Sequence, residues 1–358
     1  MIFVDDNIPY LTSILEQKAQ VFRFNGRILQ NSELIEYDCD TLFVRSTTIA
    51  DENLLKNTNI RFLGTSTSGI DHIDTRYLHN NKIHFVFAPG SNANSVAEYV
   101  IYSILSWSRI FGISLKESSL GIIGFGHIGK LVAQYANLMG MKVLVNDPPL
   151  NNVNFEFPDY VEYEELDVIC SKSDILTNHV PFTVKGKYAT KNLLDFNVIS
   201  QLRKNALLIH TSRGEIVNEE ALLKCIHDNP IEAVVDVWEN EPTINIELAK
   251  KSFLCTPHIA GYSLDGKIKG VMQMIDAYEL FKGDKFDLTS INFLLSSYHP
   301  LLPEQYHDYE SLFKLLKQSR KLDDDHYNLM YSLKLPKNEK AFAFDKLRKN
   351  YPMRREIL

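Results

Sequence analysis

The sequence predicts an α/β protein built on doubly wound parallel sheets. The stretch from Ser119 to Asp147 runs in the order strand, glycine turn, helix, strand and acid. Residues 1 to about 90 alternate short apolar runs with helical patterns, and the alternation continues from residue 148 to residue 256. Strands that alternate with helices along a chain are typical of parallel sheets covered by helices. We therefore expect two such sheets, one on each side of residue 92.

The glycine turn has the spacing of a dinucleotide-binding unit. It follows an apolar strand, Leu120 to Ile123, and opens a helix with apolar residues at helical spacing. In such a unit the first glycine permits the tight turn, the second lets a pyrophosphate approach the backbone, and the third lets the helix pack closely on the sheet. Free N–H groups at the helix start then face the phosphates. The cofactor residues expected here are Gly124, Gly126, His127, Ile128 and Gly129.

The acid after the second strand indicates which dinucleotide binds. Asp147 lies about 20 residues beyond the turn, where a carboxylate accepts hydrogen bonds from the adenosine ribose. A 2′-phosphate would be repelled there, and no arginine follows in Asp147-Pro148-Pro149. The sequence therefore favours NAD over NADP.

Composition and net charge limit the classes of protein to which this chain can belong. The chain has 358 residues, of which 45% are hydrophobic and 23% charged, which suits a globular protein of two or three domains. The net charge of −7 argues against non-specific nucleic-acid binding. No apolar run approaches the length of a membrane span, so we expect no membrane partner.

The four cysteines predict neither a metal site nor a disulfide framework. None lies in a C-x-x-C pair, and they are Cys39, Cys170, Cys225 and Cys255. Free thiols suit a reducing compartment. The start of the chain, MIFVDDNIPY, lacks the basic and apolar regions of a signal peptide. We therefore expect a cytoplasmic protein with no metal.

The first domain is expected to consist of four strands and at least two helices. Two hydroxyl-rich loops follow strand ends there, Arg45 to Thr48 and Gly64 to Gly69. Ligands of open α/β sheets bind beyond the carboxyl ends of strands, yet Ser and Thr are common in any turn, and composition alone favours an ordinary turn. The expected strands are Ile2–Val4, Thr41–Val44, Arg61–Leu63 and His84–Phe87, with helices near Leu11–Gln17 and Glu52–Lys56.

The domain boundaries are predicted from a turn-forming stretch, Pro89 to Asn92, and from two long helices. Pro89 to Asn92 precedes a helix over Ser95–Ile110 that crosses into the second domain, and a helix over Gly266–Phe281 crosses back. Beyond residue 283 the pattern loses apolar periodicity but keeps many aromatic residues, which argues against disorder. We expect a first domain over 1–92 and 257–283, a second over 93–256 and a third over 284–358. Between the crossings we expect helices over Tyr163–Lys172, Asn197–Leu202 and Asn218–His227, and strands over Asp174–Asn178, Ala206–Thr211, Glu232–Trp238 and Phe253–Thr256.

Three side chains that follow expected strands of the second domain suit hydride chemistry on a hydroxy acid. Arg213, Glu241 and His258 each come shortly after an expected strand, so parallel strands would bring them to one edge. Histidine can take the hydroxyl proton near neutral pH, a carboxylate orients it, and arginine binds a carboxylate bidentately. Spacing alone leaves structural roles open, because Arg213 can cap a turn, Glu241 precedes Pro242, and the chain has 11 histidines.

The stretches LLIHTSRGEIVNEEALL, VVDVWENEP, TPHIAGYS and GTSTSGIDHID make the interpretation specific. Together with the glycine turn they resemble the D-isomer-specific 2-hydroxyacid dehydrogenase family over residues 1 to 283. The resemblance implies a Rossmann-type domain, a flavodoxin-like substrate domain, NAD as cofactor, and catalysis by Arg213, Glu241 and His258. It also implies NAD contacts at Asp147, Val180, Thr211, Ser212, Asp236 and Gly261, and substrate contacts at Ser46, Thr67 and Tyr262.

Further stretches resemble one branch of that family. They are VDDNIPY, VRSTT, APGSNANSVAEYV, NDPP, HIAGYSLDGK and FDKLRKNY. This resemblance implies oxidation of 4-phospho-D-erythronate and a small C-terminal α+β domain that makes a homodimer. The chain is shorter at its end than that pattern, which leaves the completeness of the dimer domain open. Arg45 is the first candidate for the substrate phosphate, and the run from Lys346 to Lys349 is the second.

Two alternatives remain open. Another D-2-hydroxyacid dehydrogenase, acting on 3-phosphoglycerate or glyoxylate, would share the same motifs. A non-enzymatic protein that senses NAD(H) would keep the fold without the chemistry. The intact set of Arg213, Glu241 and His258 favours an enzyme.

Overall fold

A computed structural model describes residues 1–297 and 308–358 of the chain. The described residues divide into two compact units. The first unit contains residues 1–92 and 263–297, and the second contains residues 93–262 and 308–358. The chain therefore passes from one unit to the other more than once, as the two long helices predicted.

The first unit holds a five-stranded parallel sheet. Its strands are β1 (Ile2–Asp5), β2 (Val21–Phe24), β3 (Thr41–Val44), β4 (Phe62–Thr65) and β5 (His84–Val86), and they alternate with the helices α1 (Leu11–Leu15), α2 (Asn31–Glu36), α3 (Glu52–Leu55) and α4 (Thr75–Asn80). The strand order is β2-β1-β3-β4-β5, and every pairing is parallel. This is the strand order of flavodoxin-like sheets, which confirms the predicted fold.

Three elements of this unit escaped the sequence analysis: β2, α2 and α4. The strand β2 lies at an edge of the sheet, and only Phe24 of its four residues is fully buried. An edge strand that is largely exposed does not show the continuous apolar run that marks a buried strand. The two helices have six residues each, too few for a clear helical period.

The second unit holds a seven-stranded parallel sheet. After the long helix α5 (Ala93–Phe111) come the strands β6 (Ser119–Ile123), β7 (Lys142–Asn146), β8 (Val161–Tyr163), β9 (Ile175–Asn178), β10 (Leu207–His210), β11 (Glu232–Val235) and β12 (Leu254–Cys255). The helices between them are α6 (His127–Leu138), α7 (Pro148–Asn152), α8 (Leu166–Lys172), α9 (Phe196–Ile199), α10 (Glu219–Asp228) and α11 (Ile246–Lys251). The strand order is β12-β11-β10-β9-β6-β7-β8. It is the doubly wound order of a Rossmann-type sheet, as predicted.

The strand order reverses at β6, which pairs with both β7 and β9. Ligands of doubly wound sheets bind beyond the carboxyl ends of the strands at such a switch point. Gly124 follows β6 directly, and Val180 follows β9. The glycine turn therefore lies at the switch point, where ligands of such sheets bind.

One helix prediction in this unit was wrong at its start. The segment from Tyr163 was expected to be helical, but Tyr163 ends β8 and the helix α8 begins at Leu166. The strand β8 is short, lies at the edge of the sheet and alternates intermediate and exposed residues. With a single central exposed position, it gives too little of a two-residue period to be recognised.

The helix α5 is buried on nearly every face. From Ala93 to Trp107 almost every side chain is inaccessible, and the apolar ones join the core that lies against β6 and α6. Neither α5 nor any other helix in the described ranges is long and apolar enough to span a membrane.

The second unit extends to residue 262, whereas the prediction ended it at residue 256. The reason is a buried carboxylate on the loop after β11. Asp236 Oδ1 accepts hydrogen bonds from Thr256 Oγ1 and Ile259 N, and Asp236 Oδ2 accepts one from Ala260 N. These bonds tie residues 256–260 to the Rossmann-type sheet.

Residues after 262 form helices in the described part of the chain. They are α12 (Leu264–Lys282), α13 (Thr289–Ser296), α14 (Tyr309–Arg320), α15 (Leu322–Ser332) and α16 (Lys337–Lys349). The first two belong to the first unit and the last three to the second. A separate α+β domain over 284–358 was expected, and Tyr298, one of its aromatic residues, lies outside the described residues. The described part instead adds to existing cores: Leu312 and Leu316 join the core that contains α5, and Leu329 and Phe344 join a core of the Rossmann-type sheet.

A buried cluster of ion pairs and hydrogen bonds holds the segment after residue 349 against α5. Glu98 and Arg320 are fully buried, and Glu98 Oε2 lies 2.6 Å from Arg354 Nη1 and 3.6 Å from Arg320 Nη1. Glu98 Oε1 also accepts hydrogen bonds from the backbone N–H groups of Ile357 and Leu358. One buried carboxylate therefore holds two arginines and two backbone donors.

Candidate active site

The three glycines of the turn occupy the positions that the sequence assigned to them. Gly124 has φ +93°, in the region that favours glycine, and a Cβ there would lie 2.9 Å from the carbonyl oxygen of His179. A Cβ on Gly129 would lie 2.1 Å from the carbonyl oxygen of Gly124, so only glycine lets α6 come this close to the turn. A Cβ on Gly126 would meet nothing within 4 Å. The middle glycine thus borders open space, as an approaching ligand requires.

The start of α6 is suited to an anion. Gly126 is the N-cap of α6, and a glycine has no side chain to satisfy the first N–H groups of the helix. His127 is exposed and Ile128 half-buried. Uncapped N–H groups at a helix start, together with the positive end of the helix dipole, bind phosphates.

The Asp147 carboxylate hydrogen-bonds to the glycine turn and to the start of α7. Its Oδ2 accepts a hydrogen bond from Phe125 N (2.8 Å), and its Oδ1 accepts one from Leu150 N (3.1 Å) at the start of α7. The carboxylate therefore lies beside the glycine turn. Each carboxylate oxygen has two lone pairs, so both oxygens keep acceptor capacity for a ribose.

Replacing Asp147 with alanine is expected to weaken NADH binding by about ten- to a hundredfold, because a charge-assisted hydrogen bond to the ribose is lost. NADPH binding should weaken less, since the repulsion of its 2′-phosphate is removed with the carboxylate. Asp147→Asn is the matched variant, because it removes the charge and keeps one acceptor for the cap. Fluorescence titrations with both cofactors measure this, and unchanged affinities in both variants would show that Asp147 does not reach the ribose.

A buried polar network supports the turn after β10. Asn178 Oδ1 accepts a hydrogen bond from Ser212 Oγ, and Asn178 Nδ2 lies 3.2 Å from His210 Nδ1. Burial lowers the pKa of His210 to about 4, so its ring is neutral and carries one N–H. With Nδ1 accepting from Asn178, that N–H is on Nε2 and donates to the carbonyl oxygen of Gly214 at 3.3 Å. The network fixes the backbone on both sides of Arg213.

Arg213 lies on this turn, close to the loop that carries Glu241. A Cβ on Gly214 would lie 2.0 Å from the carbonyl oxygen of Trp238. The two loops are therefore in backbone contact, and a larger residue than glycine would push them apart. Arg213 Nη1 donates a hydrogen bond to the carbonyl oxygen of Ser212 at 2.8 Å.

Glu241 and His258 form a close pair. His258 Nδ1 lies 2.8 Å from Glu241 Oε2 and 3.0 Å from Glu241 Oε1. Glu241 Oε1 also accepts a hydrogen bond from Trp238 N (3.0 Å), which orients the carboxylate. The side chain of His258 is 30% exposed and that of Glu241 is 18% exposed. The pair is accessible to a ligand on the histidine side and shielded on the carboxylate side.

The loop that carries His258 is held in an uncommon conformation. His258 has φ +56°, which non-glycine residues seldom adopt. Its N–H donates to the carbonyl oxygen of Asp236 (2.8 Å), and the Asp236 carboxylate binds the two following N–H groups. A backbone in a sparsely populated region persists where the surroundings over-determine it, and this occurs often at functional sites. Gly261 ends the same loop, so Asp236 positions two of the predicted site residues.

The charges around the pair keep Glu241 ionised. Burial acts to raise the pKa of Glu241, but the charge and hydrogen bond of His258, the Arg348 guanidinium and the Trp238 N–H together lower that pKa. Arg348 Nη1 lies 3.6 Å from Glu241 Oε2. An ionised carboxylate next to His258 is the arrangement that a general base needs.

The remaining cofactor residues border the same sheet edge. Thr211 is buried, and its hydroxyl has no hydrogen-bond partner among the described residues. Val180 is half-buried two residues after the end of β9, against the position where a Gly124 Cβ would lie. A buried hydroxyl without a partner is costly unless a ligand or water satisfies it.

The residues predicted to contact substrate lie in both units. In the first unit, Arg45 and Ser46 follow β3, and Thr67 follows the neighbouring strand β4. Thr67 Oγ1 donates to the carbonyl oxygen of Gly69 at 2.7 Å, which shapes that loop, while Ser46 is exposed. In the second unit, Tyr262 packs edge-on against Tyr351 with ring centroids 5.8 Å apart.

The sequence analysis missed Arg348 as a neighbour of Glu241. It saw the basic run from Lys346 to Lys349 only as a candidate for the substrate phosphate or as a solvated face. In the structure the two lysines are exposed, whereas the Arg348 side chain is only 17% exposed. The period of α16 was the available indication, because Arg348 lies four residues after the buried Phe344.

No cluster of three or more histidine, cysteine or carboxylate side chains that suits a metal ion occurs in the described ranges. All four cysteines are buried free thiols. Burial raises the pKa of Cys255 to about 12, so that thiol stays protonated near neutral pH.

Comparison with known proteins defines the class. A family model described as the NAD binding domain of D-isomer specific 2-hydroxyacid dehydrogenases matches residues 97–260. The 3-phosphoglycerate dehydrogenase of Entamoeba histolytica, solved with NAD⁺ bound, superposes with a TM-score of 0.65 at 25% identity, covering 81% of this chain and 98% of that one. The NAD-dependent formate dehydrogenase of Staphylococcus aureus, solved with NAD, has a TM-score of 0.67 at 22% identity and covers 80% and 97%. The chain belongs to the D-isomer-specific 2-hydroxyacid dehydrogenases, a family of NAD-dependent oxidoreductases, as its motifs predicted.

Within that family, the similarity that extends over nearly the whole chain is to the erythronate-4-phosphate dehydrogenases. The enzyme of that name from Wigglesworthia glossinidia brevipalpis is 37% identical over 351 residues, which cover 98% of this chain and 87% of the relative. The resemblance carried by VDDNIPY, NDPP and FDKLRKNY is thereby confirmed.

Proposed function

We propose that this chain oxidises 4-phospho-D-erythronate to 2-oxo-3-hydroxy-4-phosphobutanoate, with NAD as the hydride acceptor. The observation that carries the proposal is the Glu241–His258 pair, 2.8 Å apart and beside the turn of Arg213. The choice of substrate rests on the similarity to the erythronate-4-phosphate dehydrogenases.

The residues around the glycine turn fit NAD. The space at Gly126 admits the pyrophosphate, the uncapped start of α6 offers N–H donors, and Asp147 offers acceptors for the ribose. Thr211 adds a buried hydroxyl that lacks a partner among the described residues. When bound, NAD supplies the acceptor for the hydride that leaves the substrate carbon.

His258 acts as the base in this proposal. Its Nδ1 faces Glu241, so the Nδ1–H tautomer is stabilised and Nε2 is left as the basic nitrogen. Nε2 takes the proton of the substrate hydroxyl as the carbon loses its hydride. Glu241 remains ionised and stabilises the imidazolium that results, which lowers the barrier to proton transfer.

Arg213 binds the substrate carboxylate in this proposal, since a guanidinium matches a carboxylate bidentately. We further propose Ser46, Thr67 and Tyr262 as substrate contacts, as the family resemblance implies. Arg45 is half-buried at the end of β3 and is the first candidate for the phosphate. Each assignment concerns a polar group at the carboxyl edge of its own sheet or on the loop after it, where ligands of α/β sheets bind.

The test is NADH formation by the purified protein with NAD and 4-phosphoerythronate. 3-Phosphoglycerate and D-lactate are supplied in parallel, and a 2-oxo acid acceptor is added to release cofactor that stays bound. We expect kcat/KM for 4-phosphoerythronate to exceed that for the other two acids by at least about a hundredfold, the discrimination expected when a site built for polar groups meets a substrate that lacks them.

Two other outcomes would overturn parts of the proposal. A preference for 3-phosphoglycerate or D-lactate would retain the dehydrogenase chemistry and discard the substrate. No turnover of any acid, with NADH still bound tightly, would favour an NAD(H)-sensing protein.

We also propose a homodimer formed through the helices after residue 308. Tyr327, Tyr331 and Phe342 on α15 and α16 are exposed to 59% or more, and rings of Tyr327 and Tyr331 stack on each other. Exposed aromatic groups of this kind mark protein interfaces. We propose that the reaction serves pyridoxal phosphate biosynthesis in the cytoplasm, where four free thiols stay reduced.

A further inference from the structure

We propose that Arg348 is a positioning residue for the Glu241–His258 pair, through which the helix α16 sets the protonation state of the base. The proposal rests on the function proposed above, because it concerns the same pair. It adds a residue from the segment after residue 308, to which the proposed reaction assigned no role at this pair.

The contact between Arg348 and the pair is specific. Arg348 Nη1 lies 3.6 Å from Glu241 Oε2, the same oxygen that lies 2.8 Å from His258 Nδ1. One carboxylate oxygen therefore faces a permanent cation and a titrating imidazole. The Arg348 side chain is 17% exposed, so water screens its charge only weakly.

The helix α16 is anchored so that Arg348 cannot easily turn away. Phe344, one helical turn before Arg348, is 1% exposed and belongs to the same apolar core as Leu329 of α15. Tyr351 follows the helix, packs on Tyr262 and donates a hydrogen bond to Asp325 at 3.3 Å. Burial raises the pKa of Asp325 to about 7. The Arg348 guanidinium lies over the ring of Phe344, 6.0 Å from its centroid.

Arg348 retains capacity for a further contact. Its Nε is buried and has no hydrogen-bond partner among the described residues. An arginine held mainly for packing would satisfy its buried N–H groups with carbonyl oxygens. Burial acts to lower the pKa of Arg348, but the nearby Tyr262, Glu241, Asp345 and Asp236 raise that pKa, so the guanidinium stays charged.

Other titratable and charged groups surround the pair, among them Arg213 on the turn that is in backbone contact with the loop carrying Glu241. His210 is neutral near pH 7, because burial lowers its pKa to about 4. Burial raises the pKa of Asp236 and that of Glu219, and both groups carry negative or no charge. Tyr262, on the loop after β12, and Asp345, on α16, both raise the pKa of Arg348.

The consequence follows from electrostatics. A cation on the shared oxygen stabilises the carboxylate of Glu241 and opposes a second positive charge on His258. The pair is therefore kept as carboxylate and neutral imidazole down to lower pH. This is the form in which His258 accepts a proton, so Arg348 widens the pH range of the oxidation without touching the reacting atoms.

The decisive measurement uses the protein without cofactor or substrate. The chain is produced with ¹³C-labelled histidine, and the His258 ring resonance, assigned from its absence in His258→Asn, is titrated with pH. In Arg348→Met the protonation midpoint of His258 should move to higher pH by about 0.5–1.5 units, because one nearby charge is removed. Arg348→Lys retains the charge and should restore at least half of the shift.

The matched control is Lys349→Met, which removes an exposed cation from the next position of the same helix. It should leave the midpoint unchanged within about 0.2 units, because exposed charges are screened. Should Arg348→Met not fold, Arg348→Gln is the second neutral variant, and its polar side chain retains a hydrogen-bond donor.

Kinetics give an independent readout. In Arg348→Met the acidic limb of the kcat/KM profile should move upward with the NMR midpoint, while the Kd of NADH stays within about twofold. A midpoint that is the same in Arg348→Met, Arg348→Gln and the wild type would overturn the inference. A shifted midpoint in a protein that oxidises none of the three acids would uphold the inference and overturn the proposed function instead.

Discussion

Replacing His258 with asparagine is expected to lower kcat for the hydroxy acid by roughly 10²–10⁴-fold, the usual contribution of a general base. His258 is the imidazole that Glu241 orients, at 2.8 Å, so its removal takes away the group proposed to accept the proton. Asparagine is the substitution of choice because position 258 has φ +56°, which asparagine adopts at little cost and most residues do not. The Kd of NADH should change by no more than about twofold, since the glycine turn is untouched.

The matched control is His227→Asn, in which an exposed histidine paired with Asp228 is replaced. Its side chain is 87% exposed, and kcat should stay within the error of the assay. Pre-steady-state kinetics separate the proton transfer from product release. A His258→Asn variant that turns over at a near-normal rate would remove His258 from the mechanism.

The fold was predictable from the sequence because both sheets are parallel and buried. Strands such as β6 and β10 are buried at every residue, so they read as continuous apolar runs. The glycine turn was predictable in detail, because Gly124 and Gly129 occupy positions that no larger residue fits. The edge strands β2 and β8 were missed for the opposite reason, since exposed edges lack an apolar run.

The candidate site was only partly predictable. Arg213, Glu241 and His258 follow strands, and the carboxyl ends of parallel strands meet at one edge, so the sequence brings them together. Asp236 was expected to contact NAD, a role that stays a prediction. Its observed bonds to Ile259 and Ala260 depend on the path of a loop, which no pattern reports.

Arg348 lies more than 100 positions from Glu241 in the sequence, and no periodic pattern links the two. The C-terminal segment was expected to form its own domain because its charges are mixed and its apolar residues sparse. Those apolar residues are nevertheless spaced for helices that pack on a core already present, as Leu312 and Leu316 do. A helix that completes the core of another domain needs fewer apolar positions than one that builds a core.

Removing the carboxylate of Glu98 is expected to cause the largest loss of stability. Arg320 is fully buried and Arg354 is 7% exposed, and both form an ion pair with Glu98. Breaking a buried pair by removing one partner costs about 3–5 kcal/mol, because the remaining charge is left uncompensated. In Glu98→Ala two arginines and the N–H groups of Ile357 and Leu358 lose that partner together.

The expected result for Glu98→Ala is an apparent Tm lower by roughly 6–20 °C, from that free energy and the size of the second unit. Hydrogen exchange should rise in residues 354–358 well below the melting temperature, since their attachment to α5 is lost. Arg354→Met should have a smaller effect, because Glu98 keeps Arg320 and two backbone donors. Glu117→Ala is the control: Glu117 is exposed after α5, and the Tm should stay within about 2 °C, as for surface substitutions in general. Equal melting temperatures for Glu98→Ala and Glu117→Ala would mean that the buried cluster does not hold the segment after residue 349 in place.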